Sequence, residues 1–147
     1  MKKTILYALV ITLFVVSCAQ NVNPQFIKDK VKAEPSFLKP TDGNHNQLIL
    51  YYNLKNPTNI DFPGKVSYKY DENCLTLDSK ETKVSIPVNK REDSYSVNVR
   101  PRNYNLNFGV RDYDDKCYGT QSILLVLSNN EGTVVYDSVS VEISVTR

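Results

Sequence analysis

Apolar residues recur at every second position along nearly the whole chain beyond residue 47, and this period of two excludes a helical fold. Leu48, Leu50, Tyr52 and Leu54 alternate with Gln47, Ile49, Tyr51 and Asn53 until Lys55-Asn56-Pro57-Thr58 breaks the run. The same alternation puts Val66, Tyr68 and Tyr70 on one face, then Val84, Ile86 and Val88, then Tyr95, Val97 and Val99, then Leu106, Phe108 and Val110. Ile123 to Leu127 is continuously apolar, the pattern of a central strand. Asn129-Asn130-Glu131-Gly132 reads as a hairpin turn leading to Val134 and Tyr136, and Val139, Val141, Ile143 and Val145 close the chain. Eight or nine short strands with turns roughly every 8 to 12 residues predict an all-β protein, an antiparallel immunoglobulin-like β-sandwich.

The N-terminus has a different pattern. Met1-Lys2-Lys3 precedes an uncharged, largely apolar run from Ile5 to Val16, which ends at Ser17-Cys18. A charged start, a short apolar stretch and a small residue before the cut make a secretory signal peptide, and the run is too short to span a bilayer comfortably. Val15-Val16-Ser17-Cys18 looks like a bacterial lipobox, which makes Cys18 the acylated first residue of the mature chain. A plain signal peptide with an incidental cysteine is the alternative. Ala19, in place of an acid, favours the outer membrane over inner-membrane retention. The expected organisation is therefore a signal peptide over 1–17, a lipidated tether over 18–34 and a β-sandwich over 35–147. Within the tether, Ile27, Val31 and Ala33 hint at an edge strand, and Ser36-Phe37-Leu38 reads as the first paired one.

The other two cysteines follow from this compartment. Cys74 and Cys117 are an even pair in a chain bound for an oxidising space, which is most simply a disulfide. Closing a loop of about 44 residues contributes roughly 4 kcal/mol in the chain-entropy model.

Charge narrows the partners. The whole chain carries 18 Lys+Arg against 16 Asp+Glu. Removing residues 1–17 takes away Lys2 and Lys3 and no acid, leaving 16 of each sign, and a neutral domain argues against nucleic acid as a partner. Chemistry is equally sparse. The single histidine, His45, sits in a polar turn, no glycine-rich phosphate loop is present, and no cofactor is expected. Asp112, Asp114 and Asp115 could bind calcium weakly, but they lack the alternating ligands of a calcium loop, so a solvated loop with no metal is expected. The reading is of a protein that is not an enzyme. Tyrosine alone is abundant enough to serve a ligand. Tyr51, Tyr113 and Tyr118 fall off the inward faces or in loops, where rings can anchor a partner, although tyrosine is also simply a good strand former.

The lipobox, the strand ending Tyr52-Asn53-Leu54-Lys55-Asn56-Pro57, Gly64-Lys65-Val66-Ser67-Tyr68, Cys74, Tyr95-Ser96-Val97-Asn98-Val99, Cys117-Tyr118-Gly119 and Val134-Val135-Tyr136-Asp137-Ser138-Val139-Ser140-Val141 occur in this order. Together they resemble the Francisella major membrane lipoprotein, a T-cell-stimulating antigen. The resemblance implies an outer-membrane lipoprotein, an antigen of a pathogen, whose acylated Cys18 is seen by a host Toll-like receptor. Two other expectations share the anchor and fold: a secretion-system or envelope-assembly lipoprotein docking an envelope protein, and a small ligand-binding or inhibitor module.

Overall fold

A computed structural model describes residues 23–88, 92–104, 110 and 112–147. Cys18, the expected signal peptide, Leu106 and Phe108 lie outside the described residues. Ten strands are present among the described residues: β1 (Gln25–Phe26), β2 (Lys32–Glu34), β3 (Phe37–Leu38), β4 (Leu48–Lys55), β5 (Phe62–Lys69), β6 (Leu75–Leu77), β7 (Glu81–Ile86), β8 (Glu92–Pro101), β9 (Gly119–Ser128) and β10 (Val135–Val145). They form two five-stranded sheets. The first runs β1-β4-β8-β6, with β2 also on β4, and the second runs β3-β10-β9-β5-β7. Two sheets with these neighbours reproduce the strand order of an immunoglobulin-like sandwich.

The alternation accounts for the layers. In β4, Leu48, Leu50, Tyr52 and Leu54 are buried while Ile49, Tyr51 and Asn53 face outward. Val66 and Tyr68 of β5, Val84 and Ile86 of β7, Val97 and Val99 of β8, and Ile123, Leu125 and Leu127 of β9 meet them between the sheets. The continuously apolar β9 lies at the centre of its sheet, between β10 and β5. Gly64 is required where β5 meets β9, because a Cβ there would lie 2.5 Å from the Ser128 carbonyl oxygen and 2.6 Å from the Phe62 ring. The expected turn at 129–132 closes on Gly132, at φ +76°.

Several expectations are corrected. The sandwich is not wholly antiparallel, since β3 pairs in parallel with β10, Phe37 against Ser144 and Leu38 against Val145. The domain does not start at 35. Gln25 and Phe26 pair with Lys55 and Leu54, and Lys32, Ala33 and Glu34 pair with Tyr51, Leu50 and Ile49. Phe26 is buried and Val31 and Ala33 pack against the core, so the second half of the expected tether belongs to the fold. The chain passes from β2 in one sheet to β3 in the other, so its first strand is split between the two layers. Val88 does not continue the inward face of Val84 and Ile86. Pairing of β7 with β5 stops at Ile86, and Val88 is 46% exposed. Val134 precedes a strand that runs unbroken to Val145, with a bulge between Val135 and Asp137.

Candidate functional site

The antiparallel order sorts the loops to two ends. At the distal end lie the start of β4, the turn before β6, the end of β8 and the helical turn Asp115–Cys117 that leads into β9. At the proximal end lie β1, the β4–β5 loop, the residues after β7 and the β9–β10 turn.

The disulfide is formed at the distal end. Cys74 and Cys117 are joined, with Cα atoms 5.2 Å apart. Because Cys74 precedes β6 and Cys117 precedes β9, the bond clips one sheet to the other. Tyr113 and Tyr118 are brought together beside it, their rings 5.3 Å apart and nearly perpendicular. The Tyr113 hydroxyl donates to the Cys74 carbonyl oxygen at 2.7 Å. Burial, and then the neighbouring Tyr118, Asp71 and Asp114, push its pKa up to about 12. The Arg147 guanidinium lies 4.8 Å over the Tyr118 ring and also pairs with Asp115. Both tyrosines are half-buried and pack on the core, so they brace the clip rather than present open rings.

Tyr51 is not brought to this pair. It stands on the outer face of the first sheet, beside a shallow cleft of about 450 Å³ whose walls include Lys30, Lys32, Glu34 and Asn53. Lys30 reaches Glu92 at 2.6 Å, and with Asn53 it holds the Glu92 carboxyl below the usual carboxylate range. A second cleft, of about 430 Å³, opens at the distal end around Tyr70, Lys80, Arg100, Arg102 and Tyr104. Its cations are already engaged: Lys80 with Glu72, Arg100 with Asp78 and Gln47, and Arg102 with the Glu72 carbonyl oxygen.

The other candidates are held by local contacts. Asp114 caps the helical turn by accepting from the Lys116 N–H, and His45 pairs with Asp42 and stacks on Phe37. Among the described residues, no group of three His, Cys, Asp or Glu side chains stands close enough to hold a metal ion. The buried tyrosines are structural. The Tyr52 and Tyr68 hydroxyls bond each other at 2.7 Å, Tyr68 also bonds Thr82, and burial raises both pKa values.

Sequence reasoning overlooked the proximal rim. The four large hydrophobic residues exposed among the described residues are Ile60 at 68%, Val88 at 46%, Val134 at 48% and Val135 at 60%, and all four lie at this end. The loops bearing them are tied by side-chain hydrogen bonds. Asn56 is buried; its amide donates to the Ile60 and Ile86 carbonyl oxygens, and its oxygen accepts from Thr58. Val88 donates its N–H to Asp61 at 2.8 Å. Asn129 accepts from the N–H groups of Thr133 and Val134. The signal for the rim was present in Val88 and Val134, which look like strand residues but lie beyond strand ends.

The fold and these sites define the class of the protein, a disulfide-clipped β-sandwich of immunoglobulin-like strand order. No family model matches the chain, and no curated protein does. Solved structures similar to it include an alkylpurine DNA glycosylase, AlkC, from Pseudomonas fluorescens, at TM-score 0.53 and 9% identity over 86% of this chain. The match spans 31% of that enzyme's length and is a likeness of fold alone. A FixG-related protein from Vibrio parahaemolyticus aligns at TM-score 0.46 and 8% identity, over 69% of this chain and 80% of that one. The cupredoxin domain of amoB from Nitrosocaldus yellowstonii aligns at TM-score 0.37 and 16% identity, over 74% and 62%.

Proposed function

We propose that this chain is an exported bacterial lipoprotein, anchored in the outer membrane through acylated Cys18. Its β-sandwich is a non-catalytic domain, and the lipidated N-terminus is the group that a host Toll-like receptor reads. The observation that carries the reading is the Cys74–Cys117 disulfide in a sandwich that begins a few residues after a lipobox cysteine. Structural disulfides persist in oxidising compartments, which agrees with an export signal. The engagement of the distal cleft's cations, Tyr113, Tyr118 and His45 by partners within the fold also suits a domain that presents surface rather than chemistry.

The test is expression of the full chain in a Gram-negative host, followed by mass analysis of its N-terminal peptide and membrane fractionation. Acyl chains on Cys18, loss of membrane association in Cys18→Ala, and receptor-reporter activation by the parent but not by Cys18→Ala are expected. An unmodified Cys18 overturns the anchor. An acylated chain that leaves the reporter silent overturns the host-recognition part.

A further inference from the structure

The proximal rim has a neighbour implied by chain length. Pro24 is buried, β1 is paired with the end of β4, and the Phe26 N–H donates to Asp137 at 2.9 Å, so the chain enters the fold firmly at the proximal end. From Cys18 to Pro24 there are only six residue steps. Fully extended, at about 3.3–3.6 Å each, they span roughly 20 Å. A ten-residue strand such as β9 is about 33 Å long, so the reach is shorter than the domain itself. The end at which the chain enters the sandwich is also the end that carries Ile60, Val88, Val134 and Val135.

We propose that the proximal end rests on the bilayer holding the anchor, with Ile60, Val88, Val134 and Val135 seated at the headgroup–acyl boundary. This placement rests on the lipid-anchor reading above. The acyl chains suffice to hold the protein on the membrane, and the apolar rim adds a second contact on the same surface. The rim is shaped for it. Asn56 and Asn129 satisfy the loop backbone internally, which removes much of the cost of taking polar groups out of water. The Asp61 carboxylate is occupied by the Val88 N–H, and that of Glu131 by the Asn129 amide. The contact asks for a lipid surface rather than an anionic headgroup in particular. The distal end, with the disulfide and Tyr113, points away from the membrane.

The chain contains no tryptophan, so an introduced one reports alone. Full-length Ile60→Trp, Val135→Trp and, as a distal control, Lys116→Trp are expressed, processed and reconstituted into phosphatidylcholine vesicles brominated near the glycerol end of the acyl chains. Acylation of Cys18 and flotation are scored on the same samples, and an intact disulfide confirms folding. Blue-shifted emission and severalfold stronger quenching of Ile60→Trp and Val135→Trp than of Lys116→Trp are expected. Acylated, floating protein in which the three positions are quenched alike overturns the placement and leaves the rim to a protein partner. Chains that carry no acyl group overturn the anchor reading, and the placement with it.

Discussion

The two ends of the sandwich close the same gap between sheets by different means. At the distal end the clip is covalent, Cys74 to Cys117, braced by Tyr113 and Tyr118. At the proximal end it is made of hydrogen bonds. Asn56, after β4 in one sheet, donates to Ile86 of β7 in the other at 3.0 Å, and Phe26 of β1 donates to Asp137 of β10. A covalent clip lets the distal tyrosines fold inward as packing. The proximal clip uses the Asn56 amide and the Asp137 carboxylate, and the loops around it carry exposed apolar side chains.

The largest effect is expected from breaking the covalent clip. Cys74→Ala with Cys117→Ala is expected to lose about 4 kcal/mol in denaturant unfolding. A loss no larger than that of a surface substitution would mean that the distal end is held by its packing instead. Asn56→Ala takes the amide donor from the Ile86 carbonyl and the acceptor from the Thr58 N–H, and is expected to cost about 1–3 kcal/mol, read from the same transition. Stability equal to the parent would leave the proximal end without its polar clip.

Much of this contrast was invisible in the sequence, and the reason is length and distance. The long strands were legible because each buries one face: the inward set Leu48, Leu50, Tyr52 and Leu54 falls where the alternation puts it. Two- and three-residue strands such as β1 and β6 are too short to show a period. Ala33 gave only the hint of an edge strand within the expected tether, because its partner on β4, Leu50, is provided by tertiary structure alone. Tyr113 looked like a free loop ring, and its acceptor lies 39 residues away. The disulfide was legible because two cysteines in a chain read as exported leave one pairing. The rim was not, since an apolar residue just past a strand end reads like one more residue of the strand.

A smaller effect separates packing from recognition at the distal end. Tyr113→Phe removes one hydrogen bond and is expected to cost about 1 kcal/mol. The same hydroxyl gives a pH signature. Its folded pKa is raised above its ordinary value near 10, so its contribution to stability is complete below that pH and is lost as pH rises through about 12. Absorbance titration of tyrosinate in parent and variant checks this, and a Tyr113 that ionises near 10 would mean an open ring. The smallest effect belongs to the proximal rim. Ile60→Ser and Val135→Ser are expected to stay within about 0.5 kcal/mol of the parent in solution, as surface changes do. A loss of 2 kcal/mol or more in either, as for a core residue, would make the rim part of the core.

The split first strand also sets how this fold bears load. β1 and β2 both run antiparallel to β4, and the chain enters β1 at the proximal end, where Gln25 pairs with Lys55. Tension on the segment before Pro24 therefore pulls along the hydrogen-bonded ladders and shears their bonds together, instead of unzipping them one at a time. A tug on the N-terminus meets the Phe26–Asp137 bond and two ladders on β4 before it reaches β3 in the opposite sheet. The proposed lipid tether would thus load the sandwich in shear from its first strand.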